Sequence, residues 1–525
     1  MLPMRLETRR NSMQIPRILL GATLLLLASL RPASAATINI STADNYSKIE
    51  AAKAGDIVVV APGTYRFRVY LTGHGTPSQP ITIQAQDPAH RPVWDFSATA
   101  VENAPGSYPA PDRGRGGWQV SGGSNYRITG IEFTGCSTAA LNSAGLRYYA
   151  GTTGLYLKDC VFHDNDNGIT GGTQHSDATL EFCEFYHNGN TAASSPTHNL
   201  YIYAGVFAMR YSYIHDSVQA QNFHIRAQLA VLEYNWFARA ASYEGDLMTN
   251  DDYSGAGPFT QSMLVRGNVF IQSANPGNHG QVLVAFNDTG LANDAMSLTV
   301  INNTYVGNAT PGNGAAAAFV HLSNADGSTM SAAVSNNIIS GTTNPVQVEN
   351  SAHGSVQGSN NWLATGVSPG ALTASVFSKN PGFNNAAALD YTLATGSPAI
   401  GAAAALGAGL APTREYFGGQ SAVRQMRVRS SANDLGAFDR ATSGNPIGAY
   451  DPPPLPAVSI NNSAGNILLR WPLTAADFAL VQCANLAPGQ IWSDSPGALS
   501  IDFSGYALAQ ALTSGNRFYR LQERP

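Results

Sequence analysis

The feature that most constrains this chain is a short strand that keeps returning. It appears as Ile131-Glu132-Phe133, Cys160-Val161-Phe162, Cys183-Glu184-Phe185, Ser212-Tyr213-Ile214 and Asn235-Trp236-Phe237. It continues as Asn268-Val269-Phe270, Asn303-Thr304-Tyr305 and Asn337-Ile338-Ile339. From Phe133 onward the anchoring residues lie 29, 23, 29, 23, 33, 35 and 34 residues apart. Periods of this length belong to stacked supersecondary units, in which each unit buries its apolar face only against its neighbours. No long segment has the 3.6-residue periodicity of a helical solenoid. Each period instead holds short alternating runs broken by Gly, Asn, Asp and Ser. A period of 23 residues with three such runs predicts one turn of a right-handed parallel β-helix, the longer periods carrying longer loops. About ten coils are expected, so the fold class is all-β.

The register of the repeat carries its own chemistry. Asn235, Asn268, Asn303 and Asn337 fall in one column. Coils stacked about 4.8 Å apart would let each amide bond the next. Cys160 and Cys183 occupy the same column earlier in the chain. Their spacing allows a disulfide, and a stacked pair of buried thiols is the simpler expectation. With Cys136 and Cys483 they match no zinc pattern. Charged residues make up only 12% of the chain and the formal net charge is -5. That balance, with no basic cluster, argues against a nucleic-acid partner.

The ends are read separately. Arg5, Arg9, Arg10 and Arg17 precede an apolar run from Ile18 to Leu30, followed by Ala33-Ser34-Ala35. Residues 1–35 are therefore expected to be a signal peptide with cleavage near Ala35, and the mature chain to be secreted or periplasmic without a membrane span. Residues 36–440 are assigned to the β-helix, with an amphipathic cap over Asn45 to Ala54. Pro452-Pro453-Pro454 and Pro456 mark a stiff linker over 441–456. Alternating runs at Ile467–Trp471, Phe478–Val481 and Phe518–Leu521 predict a small β-sandwich over 457–525.

Strand alternation then locates a face. Asn199–Tyr203 and Asn222–Arg226 are 23 residues apart and should stack residue on residue. Leu200, Ile202, Phe223 and Ile225 point inward. Asn199, Tyr201, Tyr203, Asn222, His224 and Arg226 point outward. The next coil continues with Gly245 and Leu247 inward and Glu244 and Asp246 outward. One column then holds Tyr201, His224 and Asp246, and its neighbour holds Tyr203 and Arg226. Asn199, Asn222 and Glu244 lie on the far side. An aromatic platform beside titratable groups suits a sugar-binding cleft. Met248 to Thr260, with Asn250, Asp251 and Asp252, and Ala139 to Gly154, with Arg147, Tyr148 and Tyr149, are its expected walls. His198, just before the strand, is a candidate at the margin. Trp118, Trp236 and Tyr243 fit either core or platform.

Two sets of motifs carry a resemblance. Gly55-Asp56-Ile57-Val58-Val59-Val60-Ala61-Pro62-Gly63-Thr64-Tyr65 resembles the start of polysaccharide-lyase-type β-helices. Gly396-Ser397-Pro398-Ala399-Ile400-Gly401 and Asp434-Leu435-Gly436-Ala437-Phe438 resemble their closing segments. Thr197-His198-Asn199-Leu200-Tyr201 and Asn222-Phe223-His224-Ile225-Arg226-Ala227 resemble a pair found in exported bacterial proteins of the pectate-lyase-like superfamily. That resemblance implies a carbohydrate-active protein. In those proteins a lysine commonly stands where this chain has His224, and the four lysines here (Lys48, Lys53, Lys158 and Lys379) lie off the face.

Three readings are open. The leading one is a lyase that cleaves a uronic-acid-containing polysaccharide by β-elimination. That chemistry needs a base for the C5 proton, a cation for the carboxylate and an acid for the leaving oxygen. His224, Arg226 and Tyr201 fit these roles in turn, with Asn199, Tyr203, Asn222, Glu244, Asp246 and His198 as substrate-binding candidates. Calcium on Asp246, Asp251 or Asp252 is a possible cofactor, although no known calcium-loop spacing is present. The second reading is a glycoside hydrolase using paired carboxylates such as Glu244 and Asp246, about 7 Å apart by strand rise, with Asp251 and Asp252 as further candidates. The third is a non-catalytic glycan binder or adhesin. A monomer is expected.

Overall fold

The structure is a computed structural model that describes residues 35–97, 116–137, 142–249, 260–272, 281–287, 295–307, 318–440, 444–463, 466–487, 490–511 and 516–524. The described β-helix is built from three parallel stacks of short strands. One stack runs from Thr37–Ile40 through Ile57–Val60, Leu155–Lys158 and Thr260–Arg266 to Gly354–Gln357. A second runs from Val69–Leu71 through Asn167–Gly171 and Gly245–Met248 to Asn344–Val348. These two stacks merge where Leu200–Arg210 and Phe223–Glu233, 11 residues each, cross from one to the other. The third stack is a separate 12-stranded sheet that begins at Gly63–Tyr65.

The repeated anchor is the core of each coil. Phe133, Phe162 and Phe185 stack with ring centroids 4.7 and 4.8 Å apart and nearly parallel. Stacked rings at the coil spacing keep their offset contacts while excluding water. The other inward positions follow the alternation, since Leu200, Ile202, Phe223 and Ile225 are all fully buried.

From Gly130 onward, each described coil turns its corner before the third sheet on one left-handed residue. Its φ is 51° at Asp159, 55° at Phe182, 53° at Tyr211, 55° at Tyr234 and 52° at Asn302. Gly267 (φ 66°) fills the same place in its coil. Such a corner costs a side chain some strain and leaves backbone groups without ladder partners. The next residue supplies them. Asn235, Asn268, Asn303 and Asn337 form the expected ladder, and it extends to Asn361. Successive Nδ2 to Oδ1 bonds measure 3.1, 3.0, 2.9 and 2.9 Å. Cys160 and Cys183 lie in this column as buried free thiols.

The N-terminal cap is shorter than expected. Only Ser47–Glu50 is helical, with Ile49 and Ala52 buried beneath it. Asp56 accepts from the Lys53 N–H and Gly55 adopts φ 86°, which together stop the helix after one turn.

Beyond the coils the chain runs back over the outer surface. Tyr391, Tyr416 and Phe438 pack on Tyr213, Trp236, Val269 and Ile271. Trp236 is therefore buried beneath this segment, and Trp118 lies in the main core. After the proline-rich stretch come a four-stranded and a three-stranded antiparallel sheet. The first includes Asn466–Trp471 and Gly505–Ala511, the second Phe478–Cys483 and Phe518–Glu523. They share a core of Leu469, Trp471, Phe478, Leu480 and Leu508. Leu473, Ile501, Phe503 and Tyr506 from this unit pack on Ala208, Val231 and Leu264 of the helix. No helix among the described residues is long and apolar enough to cross a membrane.

Candidate active site

The register places the candidate residues by backbone pairing. Tyr201 pairs with His224 and Tyr203 with Arg226. His224 pairs with Asp246, while Phe223 and Ile225 pair with Gly245 and Leu247. Three neighbouring coils thus bring Tyr201, His224 and Asp246 into one column, as the alternation predicts.

His224 is gripped from both sides. Its Nδ1 lies 3.2 Å from Asp246 Oδ2, and its Nε2 accepts from Arg226 Nε at 3.1 Å. The tautomer that satisfies both contacts carries its proton on Nδ1 and its lone pair on Nε2. Arg226 Nη1 donates to the Thr249 carbonyl at 2.7 Å, and the guanidinium carbon lies 5.6 Å from the Tyr203 ring centroid. The Tyr201 and Tyr203 hydroxyls are 3.0 Å apart, and both residues are half-buried. His224, Arg226 and Asp246 are only 8%, 4% and 3% exposed, so their interactions operate largely out of bulk water.

His198 forms the floor. Its ring stacks on Tyr201 at 5.3 Å and lies 5.0 Å from His224. Burial, followed by the neighbouring His224, holds it well below the usual histidine range, against a hydrogen bond to Gln221. Its described ring contacts are with Tyr201 and His224. Tyr243 bonds both Asp246 and Gln221, and burial raises its phenol. Gln221 and Thr249 carried no signal in the sequence, because each acts through a contact that only the coil-to-coil stacking creates. Tyr243 belongs to the site by its contact with Asp246.

Three predicted substrate-binding residues are corrected. Asn199, Asn222 and Glu244 are fully buried. Each stands immediately before its strand, which begins at Leu200, Phe223 and Gly245 respectively. Strand alternation does not reach that position, and the turn aims all three side chains inward. They continue a second ladder in which Asn188 Nδ2 donates to Asn199, Asn199 to Asn222 and Asn222 to Glu244, at 2.8, 2.8 and 2.7 Å. Burial raises the Glu244 carboxyl to about 8, against hydrogen bonds from the Ala240 N–H and Asn222. Glu244 and Asp246 therefore do not face a common space, and the further hydrolase candidates Asp251 and Asp252 lie outside the described residues.

Of the expected walls, Arg147, Tyr148 and Tyr149 are described, whereas Asn250, Asp251 and Asp252 lie outside the described residues. Arg147 sits over the Tyr149 ring at 5.8 Å. Of the calcium candidates only Asp246 is described, Asp251 and Asp252 lying outside the described residues. One Asp246 carboxylate oxygen faces His224 Nδ1, and a guanidinium stands beyond that ring. Calcium takes six to eight oxygens, and no group of three or more His, Cys, Asp or Glu among the described residues is arranged to hold a metal.

No family model matches the sequence, and no curated protein matches it. Several solved structures resemble it at low identity. Pectate lyase Pel9A is 16% identical with a TM-score of 0.45, covering 77% of this chain and 96% of that one. An alginate lyase from Paenibacillus sp. str. FPU-7 is 17% identical with a TM-score of 0.36, covering 61% and 97%. The complex of XylC with xylose is 9% identical with a TM-score of 0.39, covering 92% and 100%. The parallel pairing of its strands, coil upon coil, makes the chain a parallel β-helix protein.

Proposed function

We propose that this protein is an exported polysaccharide lyase that cleaves a uronic-acid-containing glycan by β-elimination. The observation that supports it is the imidazole of His224 held between Asp246 and Arg226, beside the half-buried hydroxyls of Tyr201 and Tyr203.

In the resting site the His224 lone pair is occupied by Arg226. A substrate carboxylate is a stronger acceptor for a guanidinium than an imidazole nitrogen is, and it takes Arg226 in a charge-assisted pair. That exchange neutralises the carboxylate, acidifies C5–H and frees Nε2. The C5 proton moves to Nε2, and its electron pair forms the C4–C5 double bond. The C4–O4 bond breaks and O4 takes the Tyr201 proton. Asp246 steadies the imidazolium through Nδ1–H. Tyr201 regains its proton from His224 or water, which closes the cycle.

The test is to incubate the purified chain with uronic-acid and neutral polysaccharides while following unsaturated product and reducing ends. A lyase gives absorbance from the unsaturated uronate with every new end. New ends without that absorbance, or activity on neutral glycans only, would overturn the reading. Binding without turnover would make the protein a glycan binder.

A further inference from the structure

Next to the candidate site lies a groove between the β-helix and the C-terminal unit. The outward positions that follow Tyr203 and Arg226 on their strands are Gly205 and Gln228, about 7 Å further along by strand rise. Both line a cavity of about 570 Å³ together with Gln174, His175, Ser262 and Phe503. That volume is within the range of small-ligand sites. Gly205 is needed there, because a Cβ would stand 2.5 Å from the Gln174 carbonyl. Gln174 itself has a buried Oε1 that finds no donor among the described residues, while its Nε2 lies 3.2 Å from His175. A buried acceptor without a donor costs stability unless a ligand supplies one.

The lining is specific about charge. No lysine or arginine is among the described lining residues. Asp502 lines the groove with its carboxylate paired to Arg470 at 3.0 Å. Burial raises the carboxyl of Asp177, also in the lining, despite its bond from the Gly154 N–H. Amide, hydroxyl and imidazole groups surround one aromatic ring, Phe503, which suits a sugar's hydroxyls and apolar face. Among the described lining residues, His175 is the sole basic side chain that could meet a carboxylate.

We infer that this groove is a neutral-sugar subsite, built jointly by the β-helix and the C-terminal unit, for the saccharide next to the uronate held at Arg226. The inference rests on the lyase reading and narrows its substrate to a heteropolysaccharide in which uronic and neutral sugars alternate. It also gives the C-terminal unit a part in substrate selection.

The test uses the full chain carrying His224→Ala, so that bound polymer is not cleaved. Binding is measured to a rhamnogalacturonan backbone, in which uronate and neutral sugar alternate, and to polygalacturonate and alginate, which are uronate polymers. The alternating polymer is expected to bind about tenfold more tightly, the equivalent of one or two good contacts. Phe503→Ala and Gln228→Ala should each erase that preference. Gln228 is exposed, so Gln228→Lys leaves the core intact and should turn the preference toward the uronate polymers. Equal binding of all three polymers, or a preference that survives these variants, overturns the subsite and spares the lyase. Failure of the unsubstituted chain and all variants to bind any uronate polymer overturns both.

Discussion

Single residues act here through the coil above or below them. Within its own coil, His224 accepts a hydrogen bond from Arg226. Its orienting carboxylate comes from Asp246, one coil further on. Replacing His224 or Arg226 with Ala should lower kcat/KM on a uronate polymer by about 100-fold or more, as expected for loss of a general base or of charge stabilisation. Arg226→Lys should not restore activity, because an ammonium cannot reproduce the forked donor that bridges imidazole, Thr249 carbonyl and substrate. Steady-state kinetics that leave either Ala variant at full activity would remove it from the mechanism. Glu244 makes the complementary case of a carboxyl with a structural role. Its folded-state value, about 8, lies above the ordinary 4.5. The folded chain therefore holds a proton there that the unfolded chain has released. The contribution is full below pH 4.5, declines as pH rises and is gone above 8. Denaturant titrations across that window should show the decline in the unsubstituted chain and a flatter profile in Glu244→Gln.

At the scale of the element, the ladders decide whether a corner can exist. Asn303 accepts from the Asn268 N–H and donates to the Val265 carbonyl and to Asn337 Oδ1, all in the buried column. Asn303→Ala strands several of these groups at once, for a loss of about 2 to 4 kcal/mol by the cost of unsatisfied buried partners. Equilibrium unfolding measures it directly, and a loss below about 1 kcal/mol would mean that water replaces the amide. The outer surface of the third sheet shows a charged counterpart. His163 lies between Asp164 and Glu132 at 2.7 and 3.2 Å, and its ring stacks on Tyr186. Burial opposes the charge, but the two carboxylates prevail and raise its value. Its stabilisation is also present at low pH and fades as pH rises through the raised value, the same direction as Glu244.

Across the whole molecule, one column of alternating charge joins the helix to its C-terminal unit. Lys158, Glu181, Arg210, Glu233 and Arg266 succeed one another in register. Arg210 bonds Glu233 at 2.8 Å and Glu181 at 3.4 Å, with no side-chain exposure of its own. Asp477 of the C-terminal unit closes the arrangement on Arg127 and Lys158. Asp477→Ala would leave two largely buried cations without that partner, at a cost of about 3 to 5 kcal/mol. Limited proteolysis should then cut the proline-rich stretch faster than in the unsubstituted chain. Equal cutting rates would show that apolar contacts at Leu473 and Phe503 hold the unit alone.

The architecture was legible in the sequence because a β-helix writes itself as a period. Stacking forces each coil to repeat the last, so Phe133, Phe162 and Phe185, the Asn235 column and the Tyr201–His224–Asp246 column can be found by counting. Alternation also placed Leu200, Ile202, Phe223 and Ile225 in the core. Counting failed where the strand stops. Asn199, Asn222 and Glu244 are one residue outside their strands, and only the turn geometry sends them inward. The contacts of Gln221 and Thr249, the burial of Trp236 and the groove at Gln228 and Phe503 had no signature at all. They depend on segments distant in the chain meeting in space, and no local periodicity encodes such a meeting.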